Sequence, residues 1–485
     1  MLALRERHQA PAAGRPSRLG LTPLGLTPLG LTLLRLAAPA VLLALGLVQL
    51  SRDLPLWYDE AYTRLAASVP LPTLLRGVWH RTGVIHYLMD VPPSFNAPYY
   101  VLMHFWCDAF GASGFALRLP SLLCAAGAAG VLTEIVRREA GPGPALLAGL
   151  LCATGPLFFD EAIQARDYGP AMLALALCAL WFREWLASGT GLARTASAAL
   201  VAGLMHWFTL PVVAGFALAA LVSRRRAGIR AASALAAACV PAGLLVGWSL
   251  AGGTAGAPAP SPVGLWLPVD AVRDWSRGMT ALSIALALVA VIGLLRARRV
   301  FVASWAVVPM LLVTGVELLR PAYFARYLLF PLLGVVVAAA LGVAAIPWSR
   351  LRRIVGAALV TLSLVAVLAH LDDGAREPSP AAVRLLAAEQ LAGQPIVPAD
   401  GRVSLDLETY LSLEPRLAAD LVLPPTLFSD QTTSDVVWLV RVVLKQNSLP
   451  VVAAEQRLKD AGWTEQSSTL LLGSDTHLRV ERWTR

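Results

Sequence analysis

The chain has 485 residues, 57% of them hydrophobic and only 15% charged, with a mean hydropathy of +0.63. Soluble domains carry roughly a quarter charged residues, so a cytosolic enzyme and a secreted domain are excluded. Apolar stretches of about 20 residues recur through 31–370, which excludes a β-barrel and requires helices that satisfy their backbone inside lipid. The net charge of +9 conceals an asymmetry: residues 371–485 carry 11 basic and 16 acidic groups, residues 1–370 carry 29 and 15. Nucleic-acid binding is the wrong inference from this excess. The basic residues fall in short clusters between apolar spans, as the positive-inside rule expects of cytoplasmic loops.

In chain order, residues 1–31 contain the pentad Gly20-Leu21-Thr22-Pro23-Leu24 and its repeat at 25–29, and read as a flexible cytoplasmic leader. No small-residue cleavage site precedes Ser51, so a cleaved signal peptide is not expected. Placing the arginine clusters inside predicts eleven crossings, at 32–50, 118–136, 144–159, 170–187, 195–208, 210–223, 231–250, 279–295, 300–316, 327–347 and 354–370. The amino terminus is then inside and the carboxyl terminus outside. The fifth and sixth spans are short, which predicts a tight or broken hairpin around His206. The run 97–110, with Tyr99, Tyr100, His104, Trp106 and Asp108, is expected to lie in the outer interface.

This topology collects most carboxylates of the bundle outside, notably Asp59, Glu60, Asp160, Glu161, Asp167 and Asp274. The longest outer loop, 51–117, exceeds what a connection needs; the next, 251–278, is rich in Gly and Pro and reads as a mobile cover. In the first loop, adjacent Asp59 and Glu60 stand just beyond a hydrocarbon span, where carboxylates are costly unless paired or used. They read as a general base or metal ligand met by a hydroxyl nucleophile, or as a helix start favoured by the dipole. Arg166 and Asp167 form either part of a site or a local ion pair. Arg326 lies on the wrong side for the positive-inside rule and reads as an anion-binding group, with a lipid phosphate the obvious anion, or as a snorkelling anchor. Both lysines, Lys445 and Lys459, are in the tail, so any phosphate contact on the bundle must use Arg, His or backbone; Arg118 joins Arg166 and Arg326 as a candidate. His80, His86, His104 and His206 read first as structural. The five cysteines have no metal-ligand spacing and read as small apolar residues.

Several segments together resemble one family. Trp57-Tyr58-Asp59-Glu60-Ala61-Tyr62, Ala97-Pro98-Tyr99-Tyr100 leading to His104-Phe105-Trp106, Ala116-Leu117-Arg118-Leu119-Pro120-Ser121, Gln164-Ala165-Arg166-Asp167-Tyr168 and Ala325-Arg326-Tyr327 are similar in order and spacing to protein O-mannosyltransferase-like membrane glycosyltransferases. These are the GT-C superfamily, and the likeness is to the bacterial family-39 type. The resemblance spans 32–370 and implies a GT-C-like helical bundle in a bacterial plasma membrane. It implies transfer of a sugar, mannose or another hexose or pentose, from a polyprenyl-phosphate donor to an extracytoplasmic glycan, lipid or protein acceptor, with inversion. Asp59 is then the catalytic carboxylate and Glu60 its neighbour positioning acceptor or base. Arg118 and Arg326 with Tyr327 lie near the phosphate, Arg166, Asp167 and Tyr168 line the cavity, and Tyr99, His104 and His206 are candidate substrate contacts. Metal dependence stays open, with Asp59 and Asp167 as the ligands of any Mg or Mn ion. The chain departs from its relatives before the interfacial helix, where Phe95-Asn96-Ala97-Pro98 replaces a basic or Lys-Pro-Pro-like element, although Val91-Pro92-Pro93 lies just upstream.

Residues 371–485 read as a soluble extracytoplasmic α/β domain. Helices are expected at 380–391, 405–413 and 451–461, strands at 395–398 and 435–442, and edge strands at 468–472 and 477–483. No catalytic constellation is visible in it, which leaves acceptor binding or structural support. Competing readings are a transporter or flippase, against which no internal repeat is found, and a polysaccharide polymerase or ligase.

Overall fold

The structure, a computed structural model, describes residues 27–251, 264–297, 299–319, 324–371, 374–423, 428–429, 432–444 and 453–485. Most of the expected leader, residues 252–263 of the expected cover over 251–278, and residues 320–323 lie outside the described residues.

The first helix, α1 (Pro28–Leu50), is followed by three short helices of the first loop, α2 (Tyr58–Ser68), α3 (Leu71–His80) and α4 (Ala97–Phe110). The bundle continues with α5 (Gly114–Ala140), α6 (Pro142–Thr154), α7 (Pro156–Ala162), α8 (Tyr168–Ser188), α9 (Leu192–Met205), α10 (Leu210–Ser223) and α11 (Arg225–Ala251). Then come α12 (Leu267–Trp275), α13 (Thr280–Ala297), α14 (Val300–Ala306), α15 (Val308–Leu319), α16 (Leu329–Ala344) and α17 (Ser349–His370). Among the described residues seven helical segments are long and apolar enough to cross a membrane, or nine if two bent pairs each count as one span. The chain is a multi-pass membrane protein.

The departures from eleven regular spans have local causes. At Gly155-Pro156 the proline lacks an amide proton and disfavours helical backbone before it; Gly155 is extended, and α6 and α7 meet at 61°. That bend carries Asp160 and Glu161 out of line with α6. At His206 the backbone is again extended (φ −150°, ψ 118°), which breaks the expected hairpin into the short apolar helices α9 and α10. The expected span 279–295 is α13, preceded at 116° by the segment holding α12.

Close packing depends on small residues, as expected where lipid removes the hydrophobic drive between helices. A Cβ at Gly293 in α13 would lie 1.8 Å from the Ala338 carbonyl oxygen, and one at Gly342 in α16 would lie 1.8 Å from that of Val289. One end of the bundle is tied by ion pairs. Glu134 accepts from Arg35, Arg137 and Arg138 at 2.6–3.0 Å, Arg138 also pairs with Glu184, and Glu139 pairs with Arg183 and Arg299. At the other end α1 and α17 finish side by side, Gln49 and Arg52 both donating to the Leu371 carbonyl. The tail therefore starts beside the first loop.

The tail folds as α18 (Ser379–Glu389), α19 (Gly401–Tyr410) and α20 (Ala453–Asp460) with a four-stranded sheet of β1 (Ile396–Pro398), β2 (Val436–Leu444), β3 (Thr464–Leu471) and β4 (Thr476–Thr484). The strand order is β1-β2-β4-β3, with β1 parallel to β2 and the other pairs antiparallel. The expected edge strand over 477–483 is in fact interior: β4 pairs on both sides, and its alternate side chains are buried on one face by Leu478 and Val480 and on the other by Trp483.

Candidate active site

Asp59 sits in the first turn of α2. No side chain of the residue before the helix caps this turn. The Tyr58 amide instead donates to Glu377 Oε2 at 2.7 Å, a carboxylate supplied by the tail. Negative charge at this position also favours the helix start. Asp59 is largely buried, and its Oδ2 accepts no hydrogen bond although it lies 3.5 Å from Arg326 Nη1 and 3.8 Å from Arg166 Nη2. Burial would raise its pKa, but Arg166 and Arg326, with Arg402 and Arg376 further off, outweigh that and hold the carboxyl below its ordinary value.

The two guanidiniums are also incompletely used. Nε of Arg166 and Nε of Arg326 are buried without hydrogen-bond partners. Arg326 is held by rings instead, 5.5 Å from the centroid of Trp57, 5.4 Å from Phe324 and 5.9 Å from Tyr327. Unpartnered buried donors beside an unpartnered carboxylate oxygen are the signature of a place made for a ligand carrying both kinds of group. Asp167, in the turn before α8, is buried with both side-chain oxygens unpartnered, and burial, countered by Arg166, pushes its pKa up to about 6.

Glu60 and Arg118 are arranged differently. Arg118 donates Nε–H to Glu60 Oε1 at 2.8 Å and an Nη2 hydrogen to Oε2 at 2.6 Å, while its remaining reach goes to the carbonyls of Leu54 and Pro55 at 2.8 and 3.0 Å. Glu60 Oε1 accepts in addition from the Ala165 amide at 2.9 Å. This buried fork ties the first loop, α5 and the 163–167 turn together. It uses both oxygens of Glu60 and four of the five N–H groups of Arg118 within the protein. Next-door residues on α2 thus have opposite situations: Glu60 saturated, Asp59 open.

The aromatic candidates form the floor. Tyr168 packs 4.8 Å from the His206 ring, and Tyr327 stacks on Phe208 at 4.3 Å. His206 Nδ1 accepts from the Phe208 amide. Tyr99 is fully buried with its hydroxyl unpartnered. His104 is not brought to the centre: its Nδ1–H donates to the Ala67 carbonyl at 2.8 Å and its Nε2 faces Asp108 at 3.7 Å, which ties α4 to α2. Among the described residues no three His, Cys, Asp or Glu side chains gather as a metal site. The open oxygen of Asp59 already faces two cations, so the residues present do not fit a divalent ion there.

The sequence left the tail acceptor binding or structural support, but singled out none of its residues at this site. Arg376 lies 5.1 Å over Trp57, and Arg402, paired with Glu377, lies 4.9 Å over Tyr58. Tyr410 donates to the Leu56 carbonyl at 3.0 Å. The only hint in the sequence was a charged pair, Arg376-Glu377, a few residues beyond the last span.

No family model matches the chain, and no curated protein matches it. Among solved structures it is similar to ArnT from Cupriavidus metallidurans in the apo state, with 13% identity, a TM-score of 0.53, and 92% of this chain and 97% of that one covered. It is likewise similar to the same protein bound to undecaprenyl phosphate, with 14% identity, a TM-score of 0.51 and the same coverage. The likeness runs over nearly the whole of both chains and shows the fold, a bundle of apolar helices followed by a small α/β domain.

Proposed function

We propose that this protein is a membrane glycosyltransferase that takes a sugar from a polyprenyl-phosphate carrier and passes it, with inversion, to an acceptor on the outer face of a bacterial plasma membrane. The observation that carries the reading is the open carboxylate of Asp59 between two partly unsatisfied arginines, in a fold shared with a protein seen bound to undecaprenyl phosphate.

The demands of the reaction match these groups. The acceptor oxygen attacks the anomeric carbon as the bond from that carbon to the phosphate oxygen breaks. The acceptor proton goes to Asp59, and the electron pair leaves with the polyprenyl phosphate. Arg166 and Arg326 are placed to neutralise charge growing on the phosphate, while Arg118, committed to Glu60, positions the loop. An aspartate held by two guanidiniums is a weak base. A bound phosphate competes for the same guanidiniums, so donor binding itself frees Asp59 and raises its basicity. General-base assistance of this kind supplies about 10²–10⁴-fold. Mannose or another hexose or pentose fits this mechanism equally.

Purified protein in lipid nanodiscs, given radiolabelled undecaprenyl-phosphate sugars, tests the reading. Binding and consumption of at least one donor is expected; a chain that binds no polyprenyl phosphate is not this enzyme.

A further inference from the structure

Beside the Asp59 centre is a cleft of about 400 Å³ that shares only Arg326 with the preceding mechanism. Its walls come from both halves of the protein. The bundle gives Asp160 and Glu161 from the bent α7, and Arg326 with Phe324 from the turn before α16; the tail gives Arg376 and Asp475. Arg326 is shared, since it also faces Asp59 at 3.5 Å. One guanidinium therefore separates the cleft from the reacting carboxylate.

The wall has two kinds of polar group. Asp160 is occupied by Arg277, which donates from Nε at 2.6 Å, and Arg376 faces Asp475 at 3.5 Å. Glu161, by contrast, is 3% exposed and its Oε2 has no partner, while Nε of Arg326 is a buried donor with none. A buried carboxylate oxygen left open in this way calls for a hydrogen-bond donor from a ligand. The nearby guanidiniums call for an acceptor. Neighbouring hydroxyls of a sugar ring supply both from one face, and Phe324 offers the apolar surface that the C–H face of such a ring covers. A lipid tail meets buried charge on this wall, and a lone peptide hydroxyl, which donates once and accepts once, leaves Arg376 and Asp475 unanswered where the several hydroxyls of a ring reach them. The volume is within the range of small-molecule sites.

Access separates acceptor from donor. Asp475 and Phe324 are partly exposed at the mouth, on the side where the soluble tail stands, whereas a polyprenyl donor is confined to lipid. We propose that this cleft, roofed by the tail, binds the acceptor and that the acceptor is a carbohydrate presenting neighbouring ring hydroxyls. This rests on the glycosyltransferase reading. It gives the tail a definite task, in that Arg376 and Asp475 hold the acceptor sugar while Glu161 accepts one of its hydroxyl protons in a hydrogen bond.

The test uses the full chain in nanodiscs and saturation-transfer NMR with three probes: a set of methyl hexosides and pentosides, a threonine-containing peptide, and a short-chain phosphatidic acid. Saturation is expected on at least one glycoside and not on the peptide, and about tenfold weaker binding is expected in Glu161→Ala, which removes the acceptor and with it one hydrogen bond. Asp475→Asn, which keeps the size of a half-exposed side chain, is expected to weaken the same glycoside. Response of the peptide or the phosphatidic acid in place of the glycosides overturns the proposal, as does an unchanged glycoside signal in Asp475→Asn. Undecaprenyl phosphate binding is measured alongside. If both variants weaken it instead, the cleft belongs to the donor; if the wild type does not bind it at all, the enzyme reading fails separately, whatever the glycosides do.

Discussion

Arg326 and Asp59 face each other at 3.5 Å, yet the Asp59 oxygen between them accepts no hydrogen bond and Nε of Arg326 makes none. A structural ion pair in a buried site closes its hydrogen bonds, as Glu60 and Arg118 do one residue away. The Asp59 pair stays open, and the arginine is held by the faces of Trp57, Phe324 and Tyr327 instead. That geometry holds charge in place and leaves Nε of Arg326 open, as the proposed binding of a phosphate requires.

Replacing Arg326 by alanine is accordingly expected to weaken binding of undecaprenyl phosphate by ten- to a hundred-fold, about 1.5–3 kcal/mol for a hydrogen bond to a charged group. Arg166→Ala is expected to fall in the same range. Isothermal titration in nanodiscs reads both. An unchanged affinity in the two variants removes the phosphate from this site.

The Glu60–Arg118 fork is expected to act on folding more than on chemistry. Glu60→Gln leaves a buried guanidinium without its counter-charge, a loss of about 3–5 kcal/mol, and the melting temperature falls accordingly. The double variant Glu60→Leu with Arg118→Met removes both charges and is expected to melt higher than Glu60→Gln. Thermal unfolding followed by circular dichroism decides; a Glu60→Gln protein as stable as the wild type contradicts the bracing role.

Much of this arrangement was legible in the sequence, for a physical reason. Parity of the arginine clusters puts Asp59, Arg166 and Arg326 at one end of the bundle whatever the details of packing. Parity says nothing about which carboxylate an arginine meets. Arg118 is captured by Glu60 because the Leu54 and Pro55 carbonyls and the Ala165 amide converge there, a tertiary fact across 58 residues of sequence. Arg376 reaches Trp57 because α1 and α17 end together at Leu371, and no local pattern announces that two ends so distant in sequence meet. The interior position of β4 was missed for the same reason, since its pairing with β2 is set by the fold of the whole tail.

The two aspartates of the site predict a pH response. Asp59 has a lowered pKa in the folded protein, so its contribution to stability is present above the ordinary carboxylate value of 3.8 and is lost as pH falls through the depressed one. Asp167 is the opposite case. Its proton is held up to about 6, so its contribution is full below 3.8 and declines as pH rises towards 6. Melting temperatures measured from pH 4 to 7 are expected to show a decline in the wild type that is smaller in Asp167→Asn, since burial also raises the pKa of Asp406 in the tail. A decline unchanged in the variant assigns it wholly to other groups.

The reciprocal contact of Gly293 and Gly342 predicts a severe packing defect. A valine at 342 drives its Cβ into the Val289 carbonyl, and α13 must move away from α16. Overpacking of this kind costs about 1–3 kcal/mol or more. Gly342→Val is expected to lower the melting temperature and the yield of monodisperse protein, both read by fluorescence-detected size exclusion; a wild-type profile would show that these helices are not in close contact.

The central claim is that Asp59 takes the acceptor proton. Single-turnover transfer from a labelled undecaprenyl-phosphate sugar, compared in wild type and Asp59→Asn with donor saturating in both, tests it most directly. Asparagine keeps the shape, is no base, and leaves the arginines for the phosphate. The expected result is a transfer rate lower by about 10²–10⁴-fold with donor binding retained; transfer at the wild-type rate would contradict the assignment.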